Sequence, residues 1–358
     1  MERTTGIDLE ALKRHRSKGD AAIRRSAALH RAIKGLIVLN DRCDAIMNEL
    51  EFLLASSGGT AESTCLPLIA PTRAGKTTAI KLFLALHPPH LDEKGRFKEV
   101  PVLYVPTPAR ASVNDIAAAV LWALGDPDPT QGTEKQRLRR IHHYIEKLNV
   151  RMIIFDELHH LVSRKNDEVN HDSAEWIKQL INDVSCGFVV AGTERLARIF
   201  LVNDQLTGRI GDYEFRVDPY NVYDPEDFKE YRGYLASFDH EIVATGAFSK
   251  IGGLAVVEFA SRILLASQGW PGFTAKLIHA AARIGLEEGA SKMEIKHFAR
   301  AFDSLMLFMK RAGKNPFRGG LLAAKEVWLD DETFAALLER LEEERRRKFK
   351  RYDRASWK

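Results

Sequence analysis

Ala70, Pro71, Thr72, Arg73, Ala74, Gly75, Lys76 and Thr77, with Thr78 behind them, have the residue types and spacing of a loop that wraps a phosphate chain. The chemistry needs backbone N–H groups around an anion at the positive end of a helix dipole. Gly75 lets the backbone approach the phosphates, Lys76 neutralises the β and γ oxygens of ATP, and Thr77 offers a hydroxyl to Mg²⁺. Alanine stands at position 70, where such loops open on glycine. It is tolerable there if φ is negative and costly if φ must be positive.

A second element, "RMIIFDELHHL", ends a β-rich run in Asp156 and Glu157. Asp156 is the expected Mg²⁺ partner of Thr77, and Glu157 the group that orients and deprotonates the attacking water. The plainer reading is a helix start decorated with acids. His159 and His160 follow at once. No metal site is expected of them, because adjacent helical residues point to different faces; they read as polar surface residues. "CGFVVAGTERL" brings Thr193 to a strand end. There it either senses the γ-phosphate or caps the next helix. Arg209, in "NDQLTGRIGDYEF", is placed to reach a neighbouring subunit's γ-phosphate or is a surface charge; Arg195 and Arg198 compete for that role.

The elements that must position these groups are legible in outline. Residues 20 to 55 have a helical rhythm, broken by "ASSGGTAES". Five apolar runs follow, "TCLPLIA", "VPVLYVP", "VRMIIFD", "CGFVVAG" and "YEFRVDP". Unalternating and separated by helices, they predict a buried parallel five-stranded sheet with helices on both faces. After Pro219 the pattern is helical. The organisation expected is a helical segment with a basic start over 1–60, an αβα nucleotide-binding domain over 61–219, a helical lid over 220–312 and a charged tail over 313–358. "NPFRGG" reads as a flexible exit from the lid. In the tail, Phe334, Leu337, Leu338 and Leu341 make one apolar stripe, which docks on a partner or packs back on the lid.

The chain has 358 residues and a net charge of +4, with Lys and Arg concentrated at both ends. Basic ends suit an acidic polymer or partner, or are solvated tails. Three scattered cysteines carry no disulfide or zinc pattern and fit a reducing compartment. With no signal peptide and no apolar run of about 18 residues, a cytoplasmic protein without membrane contact is expected.

With these motifs assembled, the sequence from about residue 35 to 315 resembles the TniB/TnsC family, AAA+ ATPases of bacterial transposition. The phosphate loop, "IIFDELHHL", "VVAGTE", "DQLTGRI", "GWPGFTAKLIHAAARIGLEEGAS" and "KNPF" carry the resemblance. It implies a P-loop αβα sandwich with a helical lid. It also implies ATP-dependent assembly as a ring or filament on duplex DNA, linking a TniQ-like target selector to the transposase. Gly272 stands where many AAA+ proteins carry a lid arginine, and Lys276, one turn on, is the substitute. Arg110, Arg164 and Lys165 are the candidates on the core for DNA phosphates. An origin-recognition-like initiator and a signalling scaffold are the alternatives. The initiator would add a DNA-reading domain, for which the roughly 45 residues beyond Gly313 are few.

Overall fold

The computed structural model describes residues 23–57, 63–109, 112–162, 169–201, 214–304 and 314–319. Arg110, Arg164, Lys165, Arg209 and the apolar stripe of the tail lie outside them. The chain divides into two compact units, Asp41–Asp218, and Met1–Asn40 together with Pro219–Lys358.

The first unit is built on five parallel strands: β1 (Cys65–Ile69), β4 (Val102–Pro106), β5 (Met152–Asp156), β6 (Gly187–Gly192) and β7 (Phe215–Arg216), in spatial order β4-β5-β6-β1-β7. All five match the apolar runs. β1, β5 and β6 are buried at every position, which is why they read as continuous rather than alternating hydrophobics. A short antiparallel pair, β2 (His90–Leu91) and β3 (Lys98–Glu99), stands apart from the sheet and has no apolar signal in the sequence. The register sets strand ends level: Ile69 pairs with Gly192, and Pro106 with Asp156.

Helices α2 (Asp41–Ser56), α3 (Lys76–Leu86), α4 (Val113–Leu124), α5 (Glu134–Lys147), α6 (His171–Asp183) and α7 (Ala197–Leu201) belong to the same unit; α1 spans residues 23–35. Local chemistry starts several of them. Ser112 and Asp115 form a reciprocal capping box for α4, as Thr133 and Gln136 do for α5. The Asn170 side chain accepts from Ser173 N at the start of α6. Ile116, Val120, Ile141, Phe155, Ile177 and Phe188 lie in one buried cluster that ties helices to sheet.

The second unit contains α8 (Pro225–Ala244), α9 (Val257–Ser267), α10 (Pro271–Glu287) and α11 (Ile295–Ser304). Buried Asp239 on α8 accepts from the amides of Gly252, Gly253 and Leu254 at 2.7–3.1 Å. That ties the loop before α9 to α8.

Two features differ from the sequence reading. The helical rhythm of 20–55 is two helices, and they belong to different units. Gly35 and the β-branched Ile37 and Val38 interrupt it, and Ile33 on α1 joins the buried cluster of α8–α11. "NPFRGG" is not a flexible exit. Phe317 is buried, with its ring 5.5 Å from Phe298 and 6.5 Å from Phe259 and from Phe302. Buried Arg262 donates to the carbonyls of Pro316 and Gly319, and Asn315 Nδ2 to Ala299 O. An aromatic side chain and three side-chain-to-carbonyl hydrogen bonds hold the segment on the helical unit.

Phe317→Ala is therefore expected to destabilise the helical unit by about 3 kcal/mol or more, measured by denaturant unfolding. Arg318→Ala, which removes an exposed ion pair with Asp303, should cost under about 1 kcal/mol.

Candidate nucleotide site

The loop from Ala70 to Gly75 turns the end of β1 into the start of α3. Its first residue is fixed by an amide bond to the neighbouring strand, Ala70 N to Gly192 O at 3.0 Å. Ala70 is fully buried and is not among the described residues with positive φ, so alanine meets the condition set for it. The left-handed turns fall later, at Arg73 (φ 77°) and Gly75 (φ 103°). Gly75 is the N-cap of α3 and offers no side-chain cap. The first amides of α3 therefore have no side-chain acceptor from the cap, at the positive end of the helix dipole.

Lys76 is 4% exposed. Its Nζ donates to Ala70 O at 2.8 Å and lies 4.0 Å from Glu157 Oε1. Burial pulls its pKa below the usual lysine value, while the charges of Glu157 and Asp156 oppose that shift. The ammonium is thus stored beneath the loop, within reach of whatever the loop holds.

Asp156 closes β5 and is fully engaged. Its Oδ2 accepts from Thr77 Oγ1 at 3.1 Å and from Tyr104 OH at 3.0 Å, and its Oδ1 from Glu157 N at 2.9 Å. Tyr104 on β4 has its pKa raised, first by burial and then by the Asp156 charge, so its hydroxyl stays a donor. The sequence reading missed Tyr104. The signal was its phenol inside "VPVLYVP", two residues before the strand end that pairs with Asp156. Thr77 and Asp156 put a hydroxyl and a carboxylate oxygen side by side. That donor pair suits a hard divalent cation such as Mg²⁺.

Glu157 takes the left-handed conformation (φ 58°, ψ 30°). Its half-exposed side chain leaves the Asp156 cluster toward His159 and His160, whose Nε2 atoms lie 3.5 and 4.0 Å from Oε2. Here the expectation for the histidines fails. A 3₁₀ turn over Leu158–Leu161 stands in place of the α-helix, and the two ring centroids lie 4.8 Å apart. His159 is buried rather than on the surface.

Thr193 follows Gly192 in extended conformation, at the level of the loop's first residue. It occupies an N-cap position, but its side chain makes no capping bond. Arg195 and Arg198 lie just beyond, on a 3₁₀ turn over Glu194–Leu196 and on α7. Lys276 is half-buried on α10 of the helical unit.

A family profile described as "Bacterial TniB protein" matches residues 34–217, which include the loop, Asp156–Glu157 and Thr193. The chain belongs to the TniB family. No match to a curated protein accompanies it. Among solved structures this TniB-family chain is similar to Cdc6p from Pyrobaculum aerophilum, with TM-score 0.56 and 13% identity over 88% of this chain and 89% of that one. It is similar also to the Aeropyrum pernix ORC2 protein in its ADPNP–ADP complexes (TM-score 0.53, 14% identity, 79% and 72% covered). The Aeropyrum pernix ORC1 protein in complex with DNA compares at TM-score 0.52 and 16% identity, with 79% and 74% covered. These likenesses establish the fold, a P-loop αβα sandwich on a parallel five-stranded sheet with a helical unit after it in the chain. The TniB-family chain is an ATPase. Among the described residues no helix is long and apolar enough to cross a membrane.

Three substitutions separate the parts of the loop. Lys76→Ala should abolish ATP binding measured by calorimetry. Gly75→Ala puts an L-residue at φ 103°, a strain of about 1–2 kcal/mol that should weaken binding roughly tenfold. Ala70→Gly should leave affinity within about twofold, because the backbone already fits.

Proposed function

We propose that this TniB-family ATPase is a nucleotide-driven switch. With ATP it assembles on duplex DNA as a ring or filament and links a TniQ-like target selector to a transposase. Hydrolysis then dissolves the assembly. The family match carries this reading, since it covers the same stretch of chain that builds the nucleotide site. Support for DNA comes from the similar ORC1 protein, which was solved in complex with DNA. That likeness also keeps an initiator-like role as the second reading.

The division between the two carboxylates supports turnover as well as binding. Asp156, with Thr77, would hold Mg²⁺, which supplies charge neutralisation at the β and γ phosphates. Lys76 would exchange the Ala70 carbonyl for those phosphate oxygens. Glu157, half-exposed and free of the Asp156 cluster, would accept a proton from the water whose oxygen attacks the γ-phosphorus as ADP leaves. Thr193 would report the γ-phosphate from the end of β6. Arg209 would complete the site of a neighbouring subunit, and Lys276 would answer the nucleotide from the lid. Arg110, Arg164 and Lys165 would meet DNA phosphates.

Glu157→Gln should lower ATP turnover by about 100-fold or more while ATP-dependent complexes on DNA become long-lived, seen by electron microscopy and dissociation kinetics. Wild-type turnover in that variant would move the base elsewhere. Mixing Arg209→Ala with Lys76→Ala subunits should restore part of the activity, since each supplies the half-site the other lacks; a mixture no better than its components would put Arg209 outside the site. DNA affinity should fall by about 0.9 log units per log unit of salt for each phosphate contact, with little discrimination between random duplexes.

A further inference from the structure

Beside the loop, three ligating atoms converge in a way that hydrolysis does not require. Glu157 Oε2 lies 3.5 Å from His159 Nε2 and 4.0 Å from His160 Nε2. One ligand atom from each of the three residues falls within 4.8 Å of the other two, and among the described residues no other His, Cys, Asp and Glu group does this. A separation of 4.0 Å is too long for a direct hydrogen bond. Two ligands sharing one tetrahedral ion stand a little closer: zinc bonds of about 2.0–2.2 Å put ligand atoms roughly 3.3–3.6 Å apart. The Glu157 side chain, 41% exposed, has room to close the remainder.

The hydrogen bonding of His160 points the same way. Its Nδ1 lies 3.1 Å from Thr107 O. A carbonyl only accepts, so Nδ1 carries the hydrogen. In the neutral ring Nε2 then presents its lone pair toward the Glu157 carboxylate, an acceptor facing an acceptor. A cation between them resolves the conflict. An imidazole that donates its far nitrogen to a backbone carbonyl is the usual support of a metal-binding histidine. His159 is held from behind: a Cβ at Gly192 would stand 3.4 Å from both its Cβ and its backbone nitrogen.

We propose that Glu157, His159 and His160 form a site for a divalent transition-metal ion of the zinc class, and that its occupancy withdraws the Glu157 carboxylate from water and stops ATP turnover. Two imidazoles and a carboxylate with one position left open are a donor set that zinc takes. Mg²⁺, which demands oxygen ligands in octahedral geometry, does not compete for it. The inhibitory half rests on the reading of Glu157 as the base.

The test titrates the tag-free full chain, without nucleotide, with ZnCl₂ by calorimetry and with CoCl₂ by visible absorption. One equivalent should bind, unaffected by excess MgCl₂, and His160→Gln and His159→Gln should each weaken it at least about tenfold. The His160→Gln amide can still donate to Thr107 O, so it decides alone if the buried His159 variant fails to fold. Equal zinc affinity in wild type and His160→Gln overturns the site, leaving the role of Glu157 to the turnover of Glu157→Gln. Turnover is then followed at free zinc fixed by a chelator buffer. Loss of turnover in wild type and its persistence in His160→Gln, each relative to its own zinc-free rate, supports the inhibitory half. One bound equivalent with undiminished turnover overturns that half.

Discussion

An ammonium group placed in the interior sets the terms for everything around it. Lys76 is almost wholly buried, and an unpartnered charge there would cost several kcal/mol. The fold answers with a carbonyl from the loop it serves and two carboxylates, Asp156 at the end of β5 and Glu157 just after it. β5 is not a neighbour of β1; β6 lies between them. Strand β6 ends in Ala191 and Gly192, small residues that leave the space over that strand end to groups from either side. The position of Ala70 becomes intelligible in the same terms. What the site asks of that residue is a carbonyl facing the ammonium, and a methyl group at negative φ does not prevent it.

Backbone strain gathers at the same place. The described non-glycine residues with positive φ are Arg73, Asn149, Glu157 and Gln268, and two of the four flank the nucleotide site. Such conformations cost of order 1 kcal/mol or more each and persist where surroundings over-determine them. At Glu157 the strain has an evident use. It turns one of two consecutive carboxylates away from the other, so that like charges adjacent in sequence occupy different surroundings. Asp156 accepts from a hydroxyl, a phenol and an amide; the Glu157 side chain is 41% exposed.

Much of this was legible in the sequence for a specific physical reason. Buried parallel strands are apolar on both faces, so Met152–Asp156 and Gly187–Gly192 stand out as unbroken runs. The phosphate loop needs a glycine and a lysine at fixed spacing. What escaped notice depends on contacts distant in sequence. Tyr104 reaches Asp156 only because β4 and β5 are in register. The histidines meet Glu157 through its left-handed backbone and the 3₁₀ turn that follows, neither of which periodicity signals. The anchored Asn315–Gly319 segment looked like a linker because its Gly and Pro content is the local signal of one, while the aromatic pocket that receives Phe317 is assembled from α9 and α11.

The path of the chain through the two units has a consequence in time. Residues 41–218 form one uninterrupted stretch set within the helical unit, whose buried cluster joins Ile33 to residues from Tyr220 onward. Synthesis runs from the N-terminus, so α1 leaves the ribosome with none of those partners yet made. At 5–20 residues per second the wait is roughly ten to forty seconds. A helix of this length is marginal alone in water. The αβα unit, being continuous, has all its strands available first. The nascent protein therefore carries α1 with the Ile33 side chain still uncovered until the residues from Tyr220 onward have been made.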